Sequence, residues 1–184
     1  VSSVSSDLRL SSNPFISKRE VERELFTDLY KMKTGELDKT KDARYGNGKC
    51  SDFKFFENEL PIIKNMVEDL KKIMMQAVKS EIFVIDSFFN IYEAGAKSGT
   101  TAHNHIDHFD KSQGLVDQKY SLVYYLCIGD QNCSEPGILR LYDPDKKILP
   151  TEGLIVIFPA NRKHSSTYNG KKDRIMVGVN FYCL

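Results

Sequence analysis

The sequence predicts a mainly β fold, a sandwich or jelly roll, that follows a helical segment. From residue 82 onward, short runs rich in β-branched and aromatic residues are bounded by Gly, Pro, Asp and Asn, as in strands joined by turns. No helical repeat separates these runs, which argues against βαβ units and a parallel sheet. The run at 153–158 has no polar face, so we expect a strand that is covered on both faces. The predicted strands are 82–86, 87–94, 119–128, 137–143, 153–158 and 174–183.

Two helices are predicted before residue 80. Ser17 and Glu20 have the spacing of a capping box, and apolar residues follow at helical intervals from Val21. A second helix is expected to begin at Pro61, because proline is tolerated in a first turn. We expect its broad apolar face to pack on one sheet of the strands. That face comprises Ile62, Ile63, Met66, Val67, Leu70, Ile73, Met74, Ala77 and Val78.

Composition limits the domain organisation and the classes of partner. The 184 residues carry 26 basic and 25 acidic side chains, so the net charge of +1 gives no reason to expect nucleic acid or an anionic membrane as a partner. No run approaches the roughly 20 apolar residues that a membrane-spanning helix needs. We expect a single domain over 1–184, with a helical support region at 1–80 and a β core at 81–184. The support region contains a polar loop at 33–52.

The cysteines and the amino-terminal residues favour a cytoplasmic location. The four cysteines show no CxxC spacing and are too few for a disulfide scaffold, so we interpret them as free thiols. The first fifteen residues lack the cationic and apolar regions of a secretory signal. The chain does not begin with Met, so we also expect a trimmed or processed amino terminus.

Histidine is the most informative residue type in the sequence. Three of the four histidines, His103, His105 and His108, fall within six residues, and the fourth is His164. On a strand, residues two apart share a face, so His103, His105 and Asp107 would point together and His108 elsewhere. His105, Asp107 and His164 would then form a two-histidine, one-carboxylate metal site. A three-histidine centre of His103, His105 and His164 is the alternative.

An arginine ten residues after His164 strengthens the hypothesis of a binding site. Arg174 begins a predicted strand on which Met176, Gly178 and Asn180 share its face. Gly178 would leave room for a bound carboxylate, which a guanidinium grips through two hydrogen bonds.

From residue 90 to residue 181 the chain resembles the 2-oxoglutarate- and Fe(II)-dependent dioxygenases of the prolyl 4-hydroxylase-like type. The resemblance lies in six features in collinear order: NIYEAG, the HxD of HIDHFD, KYSLVYYL, EPGILRLYDP, GLIVIFPANRKH, and the spacing of nine residues between His164 and Arg174. It implies a double-stranded β-helix, a cupin-like jelly roll, as the catalytic core. The long polar stretch 108–119 would be a flap beside the metal.

The resemblance also implies a site and a reaction. Fe(II) would be held by His105, Asp107 and His164, with no catalytic side chain beyond the metal centre. 2-Oxoglutarate and O2 would be cosubstrates, with ascorbate as a candidate accessory reductant. Arg174 and Tyr125 would hold the distal carboxylate of 2-oxoglutarate.

Two further tyrosines receive different interpretations. The resemblance implies that Tyr92 lines the pocket of 2-oxoglutarate. Tyr124 is interpreted as an ordinary strand aromatic.

The expected reaction is hydroxylation of a substrate C–H bond, first of all in a peptidyl-proline or another protein side chain. The alternatives are a hydroxylase of a free amino acid or another small molecule, and a cupin-like module that binds metal without turnover. The expected partner is therefore a peptide, protein or small-molecule substrate.

Overall fold

The computed structural model of the protein describes residues 8–33, 48–95 and 98–184. Within these residues the chain forms ten strands and three α-helices. The strands are β1 (Phe15–Lys18), β2 (Lys49–Cys50), β3 (Ile82–Tyr92), β4 (Ser98–His103), β5 (Lys119–Cys127), β6 (Leu139–Leu141), β7 (Lys146–Ile148), β8 (Leu154–Pro159), β9 (His164–Tyr168) and β10 (Arg174–Cys183). The helices are α1 (Glu24–Lys33), α2 (Pro61–Val78) and α3 (His108–Ser112). Single 3₁₀ turns lie at Leu8–Leu10, Phe55–Glu57 and Val116–Gln118.

The strands form two antiparallel sheets with a cavity between them. The larger sheet has the order β1-β8-β5-β10-β3-β2, and the smaller has the order β4-β9-β6-β7. Every strand pair in both sheets is antiparallel. This two-sheet architecture confirms the predicted jelly roll and the absence of βαβ units. Among the described helices, none combines the length and the apolar composition that crossing a membrane would require.

The helices cover the outer face of the larger sheet, as predicted. α2 begins at Pro61, and its buried side chains pack in one cluster with Leu25 and Leu29 of α1 and with alternate residues of β3, β5, β8 and β10. β8 is covered on both faces, because Ile155 and Ile157 join this cluster while its intervening residues face the inside.

The predicted start of the first helix is wrong. Phe15–Lys18 is not a capping box but the edge strand β1, whose residues pair with β8 from Ile157 to Leu154. The helix begins only at Glu24. The exposed edge of β8 offers unpaired backbone groups, and pairing with it outweighs the local capping signal.

Other boundaries also differ from the predictions. The runs 82–86 and 87–94 form one strand, β3, which spans eleven residues. Most of the predicted loop at 33–52 lies outside the described residues, but Lys49–Cys50 is a short strand that pairs with β3. The predicted flap at 108–119 contains α3 and a 3₁₀ turn.

Arg19 connects the edge strand to the helical layer. Its guanidinium donates to Asp69 of α2 at 2.9 Å, to Glu22 at 2.8 and 2.5 Å, and to the hydroxyl of Tyr124 at 3.2 Å. The arginine side chain is 7% exposed. Tyr124 itself is buried on the helix-facing side of β5, which agrees with its interpretation as a strand aromatic.

We predict that Arg19→Met lowers the free energy of unfolding by roughly 2 kcal/mol, because hydrogen bonds to charged groups are lost from a largely buried position. Arg23→Met is the matched control, since Arg23 is an exposed arginine in the turn directly before α1. Urea denaturation followed by circular dichroism measures both. An equal loss in the two variants would contradict the connecting role of Arg19.

Candidate functional site

The cavity between the two sheets collects the side chains that carry chemistry. It has an internal free volume of about 60 Å³ and is lined by both sheets. The larger sheet contributes polar and aromatic residues, and the smaller sheet contributes histidines. The lining residues are Phe88, Asn90, Tyr92, Thr100, His103, His105, Ser121, Leu122, Val123, Tyr125, Leu139, Phe158, His164, Ser166, Met176, Gly178, Val179 and Asn180.

Three imidazoles meet on one wall of this cavity. His103 is the last residue of β4, His164 is the first residue of β9, and the two lie directly opposite each other in the sheet. His105 follows two residues later, and its backbone N–H donates to the carbonyl of Ala160 at 2.9 Å. One ring nitrogen from each histidine lies within 4.8 Å of the other two. Three converging nitrogen donors are a ligand set for a divalent transition metal.

Backbone carbonyls fix the tautomer of two of the rings. Nδ1 of His103 lies 2.7 Å from the carbonyl of Thr101, and Nδ1 of His164 lies 3.1 Å from the carbonyl of Arg162. A carbonyl only accepts, so Nδ1 carries the proton in both rings and Nε2 keeps its lone pair. Metal-ligating histidines have this arrangement, because the outer hydrogen bond orients the ring.

The electrostatics of the cluster favour a neutral His164. Burial and, to a smaller extent, the nearby His103 lower the pKa of His164 to about 3, although the carbonyl of Arg162 opposes both effects. His164 is therefore uncharged at neutral pH and offers a lone pair. Nε2 of His105 lies 3.2 Å from Nε2 of His164. The residues present thus fit a bound metal ion.

Asp107, the predicted carboxylate ligand, does not join this cluster. Its side chain is half exposed and caps α3, where it accepts the backbone N–H of Asp110 at 3.0 Å. The prediction assumed that the strand continues to residue 107, but β4 ends at His103. The geometry therefore favours the alternative set of three histidines. His108 is the exposed first residue of α3.

A buried ion pair fastens the segment that carries His105. Asp110 is fully buried, and its carboxylate accepts from Lys119 at 2.8 Å and from the hydroxyl of Tyr182 at 2.5 Å. Burial alone would raise the pKa of Asp110, but these donors and the N–H of Asp107 hold the pKa below its ordinary value. α3 is thereby anchored to β5 and β10 beside the histidines.

The far end of the inner sheet face holds a buried guanidinium. Arg174 is 1% exposed, and none of its three nitrogens has a hydrogen-bond partner among the described residues. The guanidinium carbon lies 5.0 Å from the ring centre of Tyr125 and 5.6 Å from that of Tyr168. A buried cation without a hydrogen-bonded partner is costly, so this position fits an anionic ligand such as a carboxylate.

The two tyrosines predicted beside Arg174 lie at the same end. Tyr92 pairs directly with Arg174 across the sheet, and Tyr125 lies on the opposite neighbouring strand. Burial raises the pKa of Tyr92 to about 12 and raises the pKa of Tyr125, although the charge of Arg174 opposes both shifts. Both phenols therefore keep their protons and can donate hydrogen bonds.

The expectation for Gly178 is wrong. Its face does point into the cavity, but the space beside it is filled by the ring of Phe88, since a Cβ at residue 178 would lie 2.2 Å from Cζ of that ring. Glycine is needed here for the close approach of an aromatic ring.

Four residues of the site were not assigned roles from the sequence. Gly137 and Tyr168 lie against the guanidinium of Arg174. Ser121 and Asn180 are buried side by side in the cavity. Alternation could have located Ser121 on the face of Tyr125, whereas the position of Gly137 depends on packing between the two sheets.

Comparisons with known proteins agree with the fold and the site. Residues 88–182 match the family model of the 2OG-Fe(II) oxygenase superfamily. A search of curated proteins found no match.

Solved structures with similar folds include a prolyl-4-hydroxylase from Pseudomonas putida, with a TM-score of 0.64 and 16% identity over 88% of this chain and 86% of that one. A prolyl hydroxylase from Trichoplax adhaerens, solved with a peptide fragment of the hypoxia inducible factor oxygen degradation domain, has a TM-score of 0.63 and 16% identity over 87% and 76%. A viral collagen prolyl hydroxylase from Paramecium Bursaria Chlorella virus-1, solved as its 2OG complex, has a TM-score of 0.60 and 13% identity over 88% and 89%.

The predicted fold class, a double-stranded β-helix supported by helices, is thus confirmed. Because the family match covers more than half of its length, the chain belongs to the 2OG-Fe(II) oxygenase superfamily.

Proposed function

We propose that the protein hydroxylates a C–H bond of a peptidyl-proline or another protein side chain, with Fe(II) held by His103, His105 and His164. The observation that carries the proposal is that the cavity contains three converging imidazoles, and that a buried guanidinium without a hydrogen-bond partner among the described residues packs against Tyr125, which lines the same cavity. The two features match the two needs of the family's chemistry, a metal and a dicarboxylate cosubstrate.

The choice between three histidines and two histidines with a carboxylate determines the net charge of the metal centre. Three neutral imidazoles leave the full charge of about +2 on a ferrous ion, whereas a carboxylate ligand would reduce it to about +1. When bound, Fe(II) supplies the redox chemistry that couples decarboxylation of 2-oxoglutarate to the use of O2. The carbonyls of Thr101 and Arg162 hold two of the imidazoles in the orientation that this binding requires.

The opposite end of the inner face would orient 2-oxoglutarate. Arg174 would grip the distal carboxylate through two charge-assisted hydrogen bonds, and the protonated hydroxyl of Tyr125 would donate a third. Tyr92 would close the same end of the pocket. Apolar residues between the two ends, such as Leu139 and Val123, exclude water from the space between guanidinium and metal ligands.

The substrate class is supported by the similar structures. Three of them are named as prolyl hydroxylases, and one of these was solved with a peptide. On this basis we take a peptidyl-proline as the first substrate to test, in the presence of Fe(II), 2-oxoglutarate and O2.

For the metal site, we predict that His103→Ala weakens Co(II) binding by more than about 100-fold, because the loss of a ligand exceeds the roughly 10- to 100-fold cost of losing an outer partner. Asp107→Ala is expected to preserve Co(II) affinity and to lower stability by roughly 1 kcal/mol through loss of the helix cap. The visible absorption of bound Co(II) measures affinity. The reverse pattern would show that Asp107 is the ligand.

For the cosubstrate, anaerobic titration of Fe(II)-loaded protein with 2-oxoglutarate is expected to produce a visible metal-to-ligand charge-transfer band. Arg174→Met should weaken 2-oxoglutarate binding by about 100-fold or more, because hydrogen bonds to charged groups contribute about 1.5–3 kcal/mol each. Co(II) affinity should stay unchanged in this variant. If the wild-type protein gave no band, the proposed function would be overturned.

Gly137 should control the position of Arg174. An ideal Cβ at residue 137 would lie 1.3 Å from Nη1 of Arg174, and the φ of this glycine is +81°. Gly137→Ala is therefore expected to displace the guanidinium and weaken 2-oxoglutarate binding.

Gly114→Ala is the matched control for this prediction. Gly114 also has a positive φ, +67°, but a Cβ there would meet no atom within 4 Å. It should cost only the backbone strain of roughly 1–2 kcal/mol. Thermal unfolding and the charge-transfer titration separate the two effects, and equal 2-oxoglutarate affinity in both variants would contradict the role of Gly137.

A further inference from the structure

The cavity has a second polar position, which the proposed metal and 2-oxoglutarate residues do not include. We propose that Ser121 and Asn180 form a subsite that binds an uncharged oxygen of the substrate, a peptide carbonyl in preference to the charged groups of a free amino acid. This inference rests on the proposed function and names the chemistry by which the same site would recognise its substrate.

Ser121 holds the side-chain amide of Asn180 in one orientation, and this amide is the hydrogen-bond donor of the pair. The two side chains face each other on the adjacent strands β5 and β10 and are 3% and 2% exposed. The hydroxyl of Ser121 donates to Oδ1 of Asn180 at 2.7 Å. Because this bond uses the amide oxygen, the Nδ2 group is left as the donor, and no hydrogen bond among the described residues engages it. Both residues line the cavity, so Nδ2 is available to a ligand there.

The pair lies at the metal end of the cavity. Ser121 is directly opposite Phe158 in the sheet, and the ring of Phe158 packs 4.8 Å from the ring of His164. Asn180 is six residues along β10 from Arg174, a Cα separation of roughly 20 Å, whereas the two tyrosines proposed to contact 2-oxoglutarate lie beside Arg174. The pair is therefore separate from the residues proposed to hold the distal carboxylate of 2-oxoglutarate, and we assign it to the substrate.

The neutral donor of the subsite favours an uncharged ligand. Asn180 offers a neutral donor, and the lining residues that the structure describes include neither Lys nor Arg. Lys119, two residues before Ser121, is engaged with Asp110 at 2.8 Å. An ammonium would lose its hydration at this position without gaining an anionic partner, and a carboxylate would gain no cationic side chain in the subsite, whereas a peptide carbonyl is satisfied by one amide donor.

The test follows the side-chain amide of Asn180 by ¹⁵N–¹H NMR in the full chain loaded with Zn(II) and 2-oxoglutarate. The resonance is identified by its absence in Asn180→Asp. The probe is N-acetyl-L-proline methylamide, and free L-proline is the charged comparison. The resonance should shift saturably with the methylamide, and L-proline should bind at least about 10-fold more weakly because its charges are unpaired.

Variants separate a binding role from a structural one. Asn180→Ala is expected to weaken binding of the methylamide by about 2- to 10-fold, the loss of one neutral hydrogen bond, and Ser121→Ala by a smaller factor. In both variants the affinity for 2-oxoglutarate should be unchanged. Ser87→Ala is the matched control, since Ser87 is equally buried in the same sheet but its hydroxyl accepts from the backbone of Phe56.

Three results would overturn the inference: no shift of the Asn180 resonance, equal affinity for L-proline and the methylamide, or weakened binding of 2-oxoglutarate in place of the methylamide. The proposed function fails separately, if Fe(II) and 2-oxoglutarate give no charge-transfer band. In that event, a saturable shift of the Asn180 amide in Zn(II)-free protein would still establish the subsite.

Discussion

The alternation of side chains along β10 is the constraint on which the site depends. This strand pairs with β3 on one edge and β5 on the other, so its register is fixed from both sides. Met176 and Asn180 consequently face the cavity, and Arg174 packs against Tyr125, which also lines it, while Ile175 and Val177 pack in the cluster of the helices. A slip by one residue would bury the guanidinium among apolar side chains, which the cost of burying charge forbids. By packing against one face of β10, the helical layer therefore also fixes which residues of this strand lie on the opposite face.

The metal centre depends on a second pairing, between β4 and β9. Their register places His103 opposite His164, and the turn after β4 returns His105 to the same point. The carboxylate of Asp107 caps the amino terminus of α3. The cap uses Oδ1 of Asp107, and the carboxylate of this residue is not part of the cluster formed by the three imidazoles. On this geometry we propose that His103 takes the place expected for a carboxylate ligand.

Charge is distributed unequally along the cavity. The buried cation Arg174 packs against Tyr125 at one side of the cavity and suits a dianionic cosubstrate, whereas the cavity itself is lined by the three imidazoles and the neutral pair of Ser121 and Asn180. A metal ion would supply the positive charge at the imidazoles. The substrate subsite can therefore remain uncharged, and we infer that it distinguishes a peptide bond from a free amino acid.

Features encoded by local spacing were predictable from the sequence. The start of α2 at Pro61, the strand from Arg174 and the approximate place of the histidines follow from periodicities and residue types within a few positions. The capping box at Ser17 was a local signal that pairing with β8 overrides, and Asp107, predicted as a ligand, caps α3 in the structure. The sequence by itself determined which side chains can hold a metal and an anion. The tertiary structure decided which of them meet, because His103 and His164 are about sixty residues apart and only sheet pairing brings their rings together.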